Sequence, residues 1–315
     1  MGIRRMVASG LLAVPLLAMS RSRPSLPAEA THRSVSPVVL TNVSRLPATV
    51  EVTITAAPAR LDLVPGGSTE VFTYNGSSPG PTLEVHEGDR VVVHFHNRLD
   101  EPSTIHWHGM HIPFAADGSP FHPVAPGASF DYVFTVPKGS AGTYWYHPHP
   151  DHRTGSQVAR GLYGALIVRA VDDPLPATLT EQVMVISDNR FRDDGSIDIP
   201  ARHTMPGRID EENGREGDVI FVSGAVRPTI AIRSGEVQRW RVINASAARV
   251  YRLAIPGHTF LHVGSDGGLM PWPAFRHMPD QDIRDIAAYL KRAVKPVRNK
   301  VPDSEGPPDF WASGY

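Results

Sequence analysis

The residues best suited to chemistry are two His-x-His pairs, His106-Trp107-His108 and His147-Pro148-His149. On an extended strand, residues i and i+2 share a face roughly 7 Å apart. Each pair can therefore aim two imidazoles at one metal ion or at a pair of ions. Each also has an aromatic neighbour, Trp107 or Tyr146, and a glycine close by. Neutral imidazole suits copper, zinc, iron and nickel. The chain has no cysteine, which excludes disulfides, thiolate metal sites, a thiol nucleophile and haem attached through Cys-x-x-Cys-His. Histidine, methionine and carboxylates remain as ligands. A third pair, His94-Phe95-His96, is read as an accident of composition.

The elements that must position these pairs are strands. At 315 residues the chain can hold two domains with real cores. An apolar fraction of 41% and a charged fraction of 20% are those of a soluble globular protein, and a net charge of -1 argues against nucleic acid as a partner. Thirty prolines and 27 glycines fit a β architecture with frequent turns. Val50 to Thr55, Thr82 to Val85, Arg90 to His96, Ser129 to Thr135 and Gly161 to Val168 read as strands. No stretch before residue 270 has helical periodicity. Pro81 to Asn97 recurs at a constant offset of 147 residues as Pro228 to Asn244, with Pro, Thr, Gly and Asn coinciding without a gap. The chain thus reads as two copies of one β-sandwich unit, divided near Val171-Asp172-Asp173-Pro174. The offset sets His106 on Leu253 and His108 on Ile255, so the second copy keeps the frame and lacks the ligands.

Ser103-Thr104-Ile105-His106-Trp107-His108-Gly109 and Gly142-Thr143-Tyr144-Trp145-Tyr146-His147-Pro148-His149 resemble the first two copper motifs of multicopper oxidases, laccase-like and bacterial copper-tolerance enzymes. Ala116-Asp117-Gly118-Ser119 and Pro126-Gly127 add to the likeness, which covers about Val38 to Leu269. The resemblance implies an all-β fold of tandem cupredoxin-like Greek-key sandwiches, the second incomplete. It also implies copper as cofactor, with His106 ligating a type 2 ion and His108, His147 and His149 a type 3 pair. Asp117 would assist proton delivery during oxygen reduction, although Asp117-Gly118 is also a common turn pair. Trp107 and Tyr146 are read as packing residues, and His111, His122 and His152 as surface or supporting groups. The family reaction couples oxidation of a phenol or metal ion, a small electron donor, to reduction of O2 to water.

A complete member carries two further histidine clusters, one with the cysteine of a type 1 site. With no cysteine here, a type 1 ion is not expected. Expected domains are therefore a signal peptide over 1–30, a copper-binding cupredoxin domain over 31–172, a degenerate, truncated one over 173–269, a helical tail over 270–302 and a disordered tail over 303–315. The signal rests on Arg4-Arg5, the apolar run Met6 to Met19 and Ala28-Glu29-Ala30. It implies a periplasmic or secreted protein exported by the Sec or twin-arginine route, with no stable membrane span because the run is too short. Met270 to Pro302 resembles the end of a bacterial cytochrome c, with a helix over Gln281 to Ala293, but no haem is expected. The residues admit three readings: half of a trinuclear copper site, probed by oxidase assay; a periplasmic copper-binding or sequestering protein without turnover; or an inactive gene-fusion remnant. A partner chain that completes the copper cluster is compatible with the first.

Overall fold

The computed structural model describes residues 36–64, 67–265 and 268–269. The expected signal peptide and both expected tail segments, including the helix over 281–293, lie outside these residues. Strands β1 (Thr49–Val64), β2 (Gly67–Tyr74), β3 (Gly80–His86) and β4 (Arg90–Asn97) are followed by β5 (His106–His108), β6 (Ser129–Thr135), β7 (Gly142–His147) and β8 (Gly164–Arg169). They form two four-stranded sheets, β2-β1-β4-β6 and β3-β8-β7-β5.

Period-two patterning explains how these sheets pack. Val50, Val52 and Ile54 of β1, Val91, Val93 and Phe95 of β4, and Tyr132 and Phe134 of β6 face one way. Leu83, Val85, Trp107, Tyr144, Tyr146, Leu166 and Val168 of the other sheet meet them in one core. The result is a cupredoxin-like β-sandwich. The run Gly164–Val168 is buried on both faces: Leu166 and Val168 enter this core, while Ala165 and Ile167 enter a second one. Such a doubly buried strand reads as a continuous apolar run without alternation.

That second core joins the sandwich to a further sheet. Strands β9 (Thr180–Asn189), β10 (Val219–Val222) and β11 (Gln238–Asn244) form a three-stranded sheet in the order β10-β9-β11, and β12 (Gly264–Ser265) pairs with β13 (Gly268–Leu269). Strand β9 is antiparallel to β10 and parallel to β11, as β1 is antiparallel to β2 and parallel to β4. The repeat extends to side chains. Asn97 and Asn244 end equivalent strands in the same turn, each Oδ1 accepting from the backbone N–H two residues on, at 3.0 Å. Asn75-Gly76 and Ser223-Gly224 both have positive φ at tight turns, the backbone that a two-residue hairpin requires. Across the junction the sheet β10-β9-β11 meets the sheet β3-β8-β7-β5; among the described residues the only further strands of the second unit are the two-residue β12 and β13.

Two short helices correct the expectation of none before residue 270: α1 (Thr154–Ala159) and α2 (Met205–Asn213). Neither shows a 3.6-residue apolar period. At the start of α2, Thr204 Oγ1 accepts from Gly207 N and Pro206 sits in the first turn, a familiar N-cap arrangement.

At the junction, Val158, Tyr163, Ala165 and Ile167 pack against Val183, Val185, Ile243 and Ala245. Beside them Glu181 is paired with Arg169 and Arg241, each at 2.8 Å, and Arg241 also donates to Thr143 Oγ1. Burial alone would raise the Glu181 pKa, yet the two guanidiniums hold it below the usual carboxylate range. Removing one member of such a pair strands the other's charge in the interior. Glu181→Gln is expected to cost about 3 kcal/mol at neutral pH, measured by denaturant unfolding. Because the folded pKa is depressed, this contribution is complete at neutral pH and is lost as pH falls through the acid range. The difference between wild type and variant should therefore shrink on acidification.

Candidate metal centre

Strands β5 and β7 pair antiparallel in the register His106↔His147, Trp107↔Tyr146, His108↔Trp145. Trp107 and Tyr146 point into the core and are fully buried. Trp107 Nε1 donates to the Ala116 carbonyl at 3.0 Å and the Tyr146 hydroxyl to that of Pro81 at 2.6 Å, so both act as packing residues. Alternation then turns His106, His108, Trp145 and His147 to the opposite face.

There the ligand atoms of His106, His108 and His147 lie within 4.8 Å of one another. His108 Nδ1 and His147 Nε2 are 3.1 Å apart. The remaining nitrogen of His147 is committed to the Pro148 carbonyl at 2.9 Å, and His106 Nδ1 to the Asp117 carbonyl at 2.8 Å. The rings of His106 and His147 thus keep Nε2 for another task. Two imidazoles held by one ion at about 2.0–2.1 Å place their nitrogens roughly 3 Å apart, the spacing between His108 and His147. The donor set fits a metal centre.

His149 stands beside this trio and outside it. Its ring centroid is 5.3 Å from that of His106 and 6.1 Å from that of His147, and its Nδ1 is buried with no hydrogen-bond partner. The Asp117 carboxylate reaches to 3.3 Å from His106 Nδ1. Gly118 makes this possible: its φ is +71° and a Cβ there would lie 1.9 Å from the Ile105 carbonyl oxygen. No side chain fits where the Asp117 turn presses on the strand bearing His106.

Electrostatics keeps the cluster ready for a cation. Burial pushes the His147 pKa down to about 3; the bond to Pro148 opposes this, and repulsion from His106, His108 and His149 adds to it. Burial lowers His108 as well, with further repulsion from His106 and His149. Both rings are neutral near pH 7, the state a ligand needs. Burial raises the Asp117 pKa, with His106 pulling the other way.

Trp145 is a participant that the sequence pattern did not single out beside Trp107 and Tyr146. Its ring lies 4.2 Å from that of His147 and 5.1 Å from that of His108. Alternation within Gly142–His147 was the available signal, since Trp145 and His147 are two residues apart. His94 and His96 lie on the other sheet, facing outward; His94 bridges Asp131 and Glu51, and His96 meets Ser129. His111, His122 and His152 are exposed.

Two family models, both described as multicopper oxidase, match residues 58–173 and 183–271. The multicopper oxidase mco of Staphylococcus aureus is 33% identical over 222 residues, which is 69% of this chain and 47% of that protein. Laccase-20 of Oryza sativa subsp. indica is 34% identical over 64% of this chain and 36% of its own length. The structure of a multicopper oxidase from Campylobacter jejuni, described as a metallo-oxidase, superposes with a TM-score of 0.68 at 39% identity, covering 74% of this chain and 48% of that one. The McoA multicopper oxidase of Aquifex aeolicus gives 0.63 at 30% identity over 76% and 53%. The chain belongs to the multicopper oxidase family. It spans about half the length of the relatives it matches. Copper is the metal of that family, and without cysteine these residues supply no type 1 thiolate. Among the described residues no helix is long and apolar enough to cross a membrane.

The depressed pKa of His147 gives a signed pH effect. Between about 6.5 and 3 the unfolded chain accepts a proton that buried His147 refuses, so folding stability declines as pH is lowered through that window. Thermal melts across the window should show a shallower decline for His147→Gln than for wild type.

Proposed function

We propose that this chain is a copper-binding protein carrying the N-terminal half of a trinuclear site. His106 is the type 2 ligand, and His108, His147 and His149 serve the type 3 pair. The observation that supports this most is the 3.1 Å approach of His108 Nδ1 to His147 Nε2, with the other nitrogen of His147 tied to a carbonyl. Copper bound here would supply the one-electron chemistry by which the family couples oxidation of phenols or metal ions to reduction of O2 to water. Asp117, whose carboxylate lies 3.3 Å from His106 Nδ1 and whose pKa burial raises against the pull of His106, stands beside the ligands and takes the catalytic role of assisting proton delivery. O2 and a small electron donor are the corresponding partners, and a partner chain that completes the copper cluster is compatible with this reading.

A second reading, copper holding without turnover, is favoured by the lack of any cysteine for electron entry. It uses the same four histidines. In both readings the Arg4-Arg5 segment and the apolar run after it direct the protein to the periplasm or outside the cell. The copper-bearing domain is 31–172, and 173–269 is its ligand-free sibling.

Copper titration followed by calorimetry tests the site. One or two tightly held ions are expected at neutral pH, with loss of at least tenfold in affinity in the His106→Ala/His108→Ala double variant; an absence of bound copper in wild type would sink both readings. Oxygen uptake by the loaded protein with a phenolic donor separates them. Sustained turnover by this chain alone would overturn the copper-holding reading.

A further inference from the structure

The β-ladder does not reach every ligand. Its last pair is His106↔His147, and β7 ends at His147. His149 lies beyond it, after a proline that donates no backbone hydrogen bond. Something other than sheet pairing must set its position.

A buried polar network stands at that place. The backbone N–H of His149 donates to Thr104 Oγ1 at 2.7 Å, and Thr104 is fully buried. Next to it Ser103 Oγ donates to Gln157 Oε1 at 2.9 Å. Gln157 Nε2 in turn donates to Glu101 Oε1 and to the Pro102 carbonyl, both at 2.8 Å. Arg153 completes the set with a bond to Glu101 Oε2 at 3.0 Å. The fully buried Gln157 amide therefore uses both of its donor hydrogens and its acceptor. Glu101 to Thr104 lead into the first His-x-His pair, and Arg153 and Gln157 come after the second. The network ties the lead-in of one ligand pair to the lead-out of the other.

We propose that Thr104 and Gln157 are positioning residues of the copper half-site, fixing His149 where strand pairing does not. This rests on the copper reading of the four histidines. Neither residue touches the metal position; Thr104 acts on the backbone of His149 directly, and Gln157 acts by holding the Glu101–Ser103 segment that leads into Thr104. A buried amide with all its bonds made holds one geometry, because any shift leaves a donor or acceptor unpaired in the interior. Outer residues of this kind change metal affinity by about 10–100-fold when replaced.

The test uses the full chain titrated with Cu(II), followed by calorimetry and electron spin resonance. Wild type is compared with Thr104→Val, Thr104→Ser and Gln157→Leu, with His149→Ala as reference and a thermal melt as check on folding. Thr104→Val and Gln157→Leu should weaken copper binding by about 10–100-fold and shift the imidazole-nitrogen pattern toward that of His149→Ala. Thr104→Ser, which keeps the hydroxyl, should restore both. Should Gln157→Leu fail to fold, Ser103→Ala removes one bond of the network in its place. Folded Thr104→Val and Gln157→Leu proteins with wild-type affinity and spectrum would overturn the positioning role and leave the copper reading standing. A wild type that takes up no copper would overturn the copper reading itself, and the positioning role with it.

Discussion

The antiparallel contact of β5 with β7 is the constraint on which the rest of the site depends. It is three pairs long, yet it decides which side chains meet. With His106 opposite His147, the pleat sends Trp107 and Tyr146 into the core and the histidines to the other face. A slip of one residue would exchange the two sets, burying imidazoles and exposing a tryptophan. The side-chain bonds of Trp107 and Tyr146 pin that register from the core side. Packing of the first sandwich and alignment of the ligands are thus one interaction seen from two faces.

The outward face of β7 carries a second coupling. Thr143, Trp145 and His147 share it: Thr143 accepts from Arg241 of β11, Trp145 packs against the junction core, and His147 belongs to the metal cluster. Trp145 also lies against both His147 and His108. The second unit thus braces the strand that presents His147. The charge group around Glu181 stabilises the same junction while its carboxylate is ionised.

Much of this was legible from spacing. Two His-x-His pairs at strand ends require a shared face, and the repeat of Pro81–Asn97 in Pro228–Asn244 foretold the equivalence of β4 and β11, which end in equivalent asparagine turns. Residues 228–234, the counterpart of β3 in the repeat, form no strand. Trp145 did not stand out because its immediate neighbours looked like the relevant aromatics, although alternation already set it with His147. The short helices escaped because α1 is under two turns long and α2 buries only Gly207, so neither displays an apolar period. The Thr104–His149 bond joins residues 45 apart in sequence, and no local pattern signals such a pairing.

Residue types and their order determined the chemistry this chain can offer: imidazole donors, no thiolate, and an all-β frame, because these follow from composition and from periods of two. Tertiary structure decided which nitrogens converge. It brought His108 Nδ1 to His147 Nε2, committed the second nitrogen of His147 to a carbonyl, and buried that ring so that it stays neutral near pH 7. It also left His149 outside the trio, held through Thr104. Distances between strands, and the loss of water around a ring, arise only when remote segments pack together. A ligand set can therefore be named from sequence, whereas its geometry and protonation belong to the fold.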